Sequence, residues 1–282
     1  MYVLEANDVK DHGMRKEVAV SKRRQRLVFT GAVLALVCCL VVAMGYFFVV
    51  EFRGSGSAAF TSHDEKVADS DANEAVPQAV VVDALSVEYP NAVFNRGVGD
   101  VLGQAGLKTD FFSGSVVTVD FLKGLAGGYR LVILRMHSAV SAQNEVYLFT
   151  AEPFSRDKYV QERSFGLVKE AFPSEDSQSV FAVNWGFVER LMTGKFNGSV
   201  VVAMGCDSGA DQMLAREFVN QGAVAFVGWS GPVLLSHSDS ATLQLLKSLY
   251  VEKLTVSTAV DRTNSEVGAD PSSGAVLRCY LP

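Results

Sequence analysis

The residues best placed for chemistry are a histidine and a cysteine, each closing an apolar run. Leu131 to Met136 leads into His137-Ser138, and Val200 to Met204 leads into Gly205-Cys206-Asp207-Ser208-Gly209. Short apolar runs of this kind read as strands buried on both faces, as in a parallel sheet. In such a sheet the strand C-termini share one edge, where α/β proteins bind ligands. Neighbouring strands lie about 4.8 Å apart, so adjacent strands would bring the imidazole within reach of the thiol. A histidine beside a cysteine lowers the thiol pKa and makes the thiolate available near neutral pH. Gly205 and Gly209 allow the tight turn and close backbone approach that an oxyanion hole requires.

Plainer readings fit the same residues. A cysteine in an apolar setting packs as a small hydrophobe, and a histidine after a strand is often a solvated loop residue. A disulfide from Cys206 to Cys279 is a third reading. Cys38 and Cys39 lie inside a long apolar run, where they read as packing residues. Two remaining cysteines make no disulfide scaffold, and no pair has the spacing of a zinc site.

The elements that must position His137 and Cys206 start at Ala79. Ala79–Val82 is a β-branched run closed by Asp83. Asn91 to Gly106 has helical spacing, Lys108–Phe112 reads as a short strand, and Val117–Leu125 as a helix. Glu145–Thr150 reads as a strand that could pair in a hairpin, and Asp157–Ser179 as a polar insertion with weak helix. Phe187–Met192, Ala210–Asn220 and Ala241–Tyr250 read as helices, with apolar runs at Ala223–Val227 and Ala275–Tyr280 as further strands. Strands alternating with helices predict βαβ units: a mostly parallel sheet with helices on both faces, in one α/β domain over residues 79–282.

Before that domain the composition changes twice. Residues 1–26 are polar and mixed in charge, a short tail ending in Lys22-Arg23-Arg24-Gln25-Arg26. Residues 27–50 carry no charge, and as a helix they would span about 36 Å, enough to cross a bilayer with some tilt. Tyr46, Phe47 and Phe48 suit an interfacial aromatic belt, and the basic cluster predicts a cytoplasmic N-terminus with the C-terminal domain outside. A cleaved signal peptide is the rival reading, although both the basic and the apolar stretches are long for one. Residues 51–78 read as a flexible linker.

The totals agree with a membrane segment and argue against nucleic acid. A mean hydropathy of +0.20 is high for a chain without an apolar span. A net charge of −6 over 282 residues argues against nucleic acid as the main partner, because phosphate neutralisation needs clustered Lys and Arg. No Gly-rich phosphate loop and no metal-ligand cluster is evident, so no cofactor is expected.

The pattern of strand-then-His (Leu131 to His137-Ser138) and later strand-then-Cys (Val200 to Cys206-Asp-Ser-Gly209) resembles the caspase-like cysteine peptidases, a group that includes caspases, gingipains, clostripain, separase and CHAT-type domains. The order, His before Cys, agrees. So does the following helix and Gly222-Ala-Val-Ala-Phe-Val-Gly228-Trp229-Ser230-Gly231, which is similar to the strand after the nucleophile in prokaryotic members. The resemblance covers roughly residues 79–282. It implies a three-layer α/β/α sandwich and a peptide or protein substrate. Cys206 would be nucleophile, His137 general acid and base, and backbone donors near Gly205 and Ser138 an oxyanion hole. Two positions depart from the family: His137-Ser138 replaces His-Gly, and Met204-Gly205-Cys206 replaces the Gln-Ala-Cys of caspases proper. The first departure motivates an alternative, a catalytically inactive sensor or interaction domain tethered to the membrane. Asp83, Asp207, Asp211 and Trp229 are further candidates for a substrate pocket, the two aspartates beside Cys206 favouring a cationic side chain. Each also has a structural reading: a solvated carboxylate, a helix cap or a core aromatic.

Overall fold

The computed structural model describes residues 79–282. The expected tail, membrane-spanning run and linker of residues 1–78 lie outside the described residues. Among the described residues, no helix is long and apolar enough to cross a membrane.

Among the described residues, ten strands and seven α-helices build an α/β fold. The strands are β1 (Ala79–Asp83), β2 (Thr109–Ser113), β3 (Leu131–Arg135), β4 (Ser138–Val140), β5 (Val146–Pro153), β6 (Val168–Ala171), β7 (Val180–Val183), β8 (Val200–Ala203), β9 (Ala225–Trp229) and β10 (Leu277–Tyr280). The helices are α1 (Ala92–Gln104), α2 (Val119–Gly124), α3 (Val160–Ser164), α4 (Trp185–Leu191), α5 (Gln212–Asn220), α6 (Leu235–Leu246) and α7 (Val256–Glu266). The principal sheet has the order β10-β9-β8-β3-β1-β2. It is parallel throughout except for β10, which runs against β9.

The four central strands are buried on both faces, which explains their unbroken apolar sequences. Alternate side chains meet different helices. Val82, Leu134, Ala203 and Phe226 pack with Leu122, Phe187 and Phe218 of α2, α4 and α5. Val81, Ile133, Val202 and Val227 pack with Phe94, Leu245 and Val260 of α1, α6 and α7. Local signals start the helices: Asn91 accepts from the Phe94 N–H at 3.0 Å to cap α1, and Asp211 accepts from the Met213 N–H at 2.9 Å to cap α5.

A second sheet, β4-β5-β7-β6, is antiparallel and inserted between β3 and β8. It contains the segment read from sequence as a polar insertion. That segment holds the short helix α3 and the edge strand β6, whose sequence Val-Lys-Glu-Ala has no apolar run. Pairing with β7 recruits it instead. Helix α7 also escaped the sequence reading, because it buries only Ala259, Val260 and Thr263. Helix α6 begins earlier than its apolar spacing suggests, because its first turns bury the polar Ser238 and Asp239, and it continues into a π-helical turn over Lys247–Val251.

From β1 the chain moves outward to β2, then returns to the other side of β1 as β3 and proceeds to β8 and β9. Such a reversal opens a crevice at the C-terminal edge of the strands. Beneath this crevice lies an ion-paired cluster. Arg135 is fully buried. Its Nη1 donates to Asp83 Oδ1 at 2.9 Å and to the Tyr89 carbonyl at 3.2 Å. Its Nε and Nη2 donate to Asp239 at 2.9 and 3.2 Å. Asn91 donates to the same Asp239 at 2.8 Å, so the cluster joins β1, β3, α6 and the start of α1.

Two carboxylates share one guanidinium here, so removing Arg135 leaves buried negative charge. Arg135→Leu is expected to lower the unfolding free energy by about 3–5 kcal/mol, measured by urea denaturation. Adding Asp83→Asn should recover part of that loss. A loss below about 1 kcal/mol, the range of solvated pairs, would mean that the cluster is not sealed from water.

Candidate functional site

Strands β3 and β8 are direct neighbours, in register at Leu134 and Ala203. His137 and Cys206 each lie three residues beyond that pair. The backbones stay together past the strand ends. The Met204 N–H donates to the Leu134 carbonyl at 3.0 Å, and the Ser138 hydroxyl donates to the Cys206 carbonyl at 2.6 Å. Gly205 makes this approach feasible. A Cβ there would stand 2.5 Å from the Met136 carbonyl oxygen and 2.9 Å from the Ser138 nitrogen.

His137 and Cys206 line one cavity of about 250 Å³, together with Leu85, Tyr89, Met204 and Val233. The walls come from the segments after β1, β3, β8 and β9, the edge expected from the topology.

The His137 imidazole is held neutral. Burial lowers its pKa from 6.5 to about 4, and the nearby Arg135 charge pushes it the same way. Glu88 brings a carboxylate to 3.8 Å from Nε2, but that carboxylate is 43% exposed and its attraction is weakened by solvent. The Tyr89 ring stands edge-on to the imidazole at 6.1 Å. At neutral pH His137 is therefore a proton acceptor rather than the cationic half of an ion pair.

Cys206 is 9% exposed. Its sulfur meets the backbone of Val233: the Val233 N–H donates to Sγ at 3.4 Å, and Sγ lies 3.6 Å from the Val233 carbonyl oxygen. The loop carrying Val233 is braced by Asp270, a buried carboxylate that accepts from the N–H groups of Leu234, Ser272 and Ser273 at 2.8, 2.9 and 3.0 Å. Against the upward push of its burial, these donors and the Ser272 hydroxyl hold its pKa well below the usual carboxylate range.

The remaining sequence candidates fall into different settings. Gly205 lines the cavity, whereas Ser138 is fully buried beneath it. Asp83 ends β1 at the predicted edge but is fully buried against Arg135. Asp207 has a left-handed backbone, φ +58°, and partial burial raises its carboxyl pKa. Asp211 caps α5. Trp229 is a core residue whose indole N–H donates to Ser238 at 3.0 Å. None of Asp83, Asp207, Asp211 and Trp229 lines the cavity.

The disulfide reading is corrected. Cys206 and Cys279 are both free thiols. Cys279 sits in β10 opposite Val227, on an antiparallel pairing that holds it within the sheet rather than at the strand ends. Among the described residues no group of three or more His, Cys, Asp or Glu is arranged to hold a metal ion.

The sequence reading missed Leu85, Glu88, Tyr89 and Val233. Leu85 lies in a 3₁₀ turn, Ala84–Val87, and Glu88 and Tyr89 follow it; Asp83 caps the turn by accepting from the Ser86 N–H at 3.0 Å. An aspartate directly before the turn was the available signal, but nothing in the spacing showed that the turn folds over β3. A scan against protein-family models finds no match for the chain, and a search of curated proteins finds none.

The His137 shift has a sign that can be tested. Above pH 6.5 the residue is neutral both folded and unfolded and contributes no pH dependence. Between pH 6.5 and about 4 the unfolded chain takes up a proton that the folded chain refuses, so stability falls with pH and then levels off. The wild type should lose about 3 kcal/mol more than His137→Asn across that window. Parallel losses in the two proteins would show that His137 is not held neutral.

Proposed function

We propose that residues 79–282 are a caspase-like cysteine peptidase domain, with Cys206 as nucleophile and His137 as general base and acid. The carrying observation is that the two residues extend neighbouring parallel strands by the same three positions and line one cavity. In this reading the sheet with helices on both faces is the three-layer sandwich of that group.

The chemistry follows from the groups present. His137 accepts the Cys206 proton as the sulfur attacks the peptide carbonyl carbon, forming a C–S bond and a tetrahedral oxyanion. Backbone N–H groups at the Gly205–Cys206 turn are the nearest candidates to receive that charge. Ser138 acts as a tie between the two strand ends and is not an oxyanion donor in this account. Collapse breaks the C–N bond, and the proton on His137 passes to the leaving amine. Water, deprotonated by His137, then cleaves the thioester and restores the thiol. Glu88 is a positioning residue for the imidazole.

The charge-free run of residues 27–50 and the basic cluster before it support an anchored domain facing outward. In intact cells a tag after Pro282 should then be open to added protease while a tag before Met1 is protected. The reverse pattern would overturn that orientation.

A second reading, a non-catalytic interaction module, draws on the contacts of the Cys206 sulfur with the Val233 backbone. Digestion of a proteome-derived peptide library separates the two. The wild-type chain should generate new peptide ends, and Cys206→Ala should reduce them at least about 100-fold, the low end of what an essential catalytic group contributes. No cleavage by the wild type, or equal cleavage by both, favours the module.

A further inference from the structure

A smaller cavity of about 50 Å³ lies beyond His137. His137 and Leu85 line both cavities, whereas Cys206 lines only the larger, so the imidazole and Leu85 form the partition between them. The smaller cavity is built between the turn after β1 and the second sheet. Its walls include Leu85, Val87, Phe149, Ala151 and Val180 and are mostly apolar, with Thr150 and one carboxylate, Glu88, among the lining residues.

We infer that this cavity receives the side chain of the residue immediately after the cleaved bond, and that it selects a small branched aliphatic group such as valine. The inference rests on the peptidase reading. The acyl half of the substrate stays on Cys206 in the larger cavity. The leaving amine takes its proton from His137, so the leaving half passes over the imidazole toward the side away from Cys206. Consecutive Cα atoms are 3.8 Å apart, so the first side chain of that half is the one within reach. A water needs about 10–15 Å³ of such space, so the cavity holds about three to five water-sized groups. That matches a valine side chain and excludes an aromatic or a long charged one. Apolar walls favour methyl groups over a hydroxyl or a carboxylate.

The test is a cleavage-site profile of the full-length chain on a proteome-derived peptide library. Wild type, Ala151→Leu, Val87→Ala and Cys206→Ala are compared, with folding checked by circular dichroism. Ala151 lines the cavity, so Ala151→Leu adds bulk to it. Val87 is 60% exposed at its rim, so Val87→Ala widens the cavity without touching the core and keeps the test open if Ala151→Leu fails to fold. Wild type should prefer valine over glycine or phenylalanine after the cut by about tenfold or more. Ala151→Leu should shift that preference to glycine and alanine, and Val87→Ala should shift it to leucine and isoleucine. Cys206-dependent cleavage with no preference there, or one that neither variant moves, overturns the assignment and leaves the peptidase reading intact. A shift confined to the residue before the cut also overturns it. No Cys206-dependent cleavage by wild type overturns the peptidase reading and the assignment together.

Discussion

The site depends on the parallel pairing of β3 with β8 and on its continuation beyond the last paired residues. Strand hydrogen bonding alone would end at Leu134 and Ala203. What carries the two chains further is a glycine with no room for a side chain and a serine hydroxyl bonded across to the opposite backbone. Gly205 lets its α-carbon lie against the Met136 carbonyl and the Ser138 nitrogen. The Ser138 hydroxyl then fixes the Cys206 carbonyl. The resulting seal sets the register of His137 against Cys206, and therefore whether they can act as a pair.

Electrostatics beneath the cleft work in the same direction. A guanidinium this deep is tolerable because two aspartates and a backbone carbonyl receive its donors. Burial lowers the basicity of His137, and the guanidinium charge lowers it further. The histidine is kept as a neutral base, ready to accept a proton but not storing one. The sulfur is meanwhile held by the Val233 backbone on a loop that Asp270 braces. In the proposed reaction the substrate would have to displace these backbone contacts before the sulfur attacks.

Much of the sheet was legible because its strands are buried on both faces. Val200–Ala203 and Leu131–Arg135 have unbroken apolar sequences for that reason, and the residues after them announce themselves. Elements whose reason for existing is tertiary were not legible. Strand β6 carries Lys169 and Glu170 and is held by β7. Helix α7 has little apolar content, and the start of α6 buries Ser238 and Asp239 in hydrogen bonds. Asp83 was read at the correct edge, but its partner could not be. An ion pair 52 residues apart leaves no trace in local spacing, and neither does the fold-back that brings Glu88 to His137.

The central claim is that His137 takes the proton from Cys206. It is tested most directly by the rate of iodoacetamide alkylation at pH 7 in the wild type and in His137→Ala. The rate is read at Cys206 by peptide mass spectrometry, because Cys279 is also a free thiol. The account predicts alkylation of Cys206 at least about tenfold slower without the imidazole, a conservative share of what a positioned base contributes. An equal or faster rate in His137→Ala would contradict it.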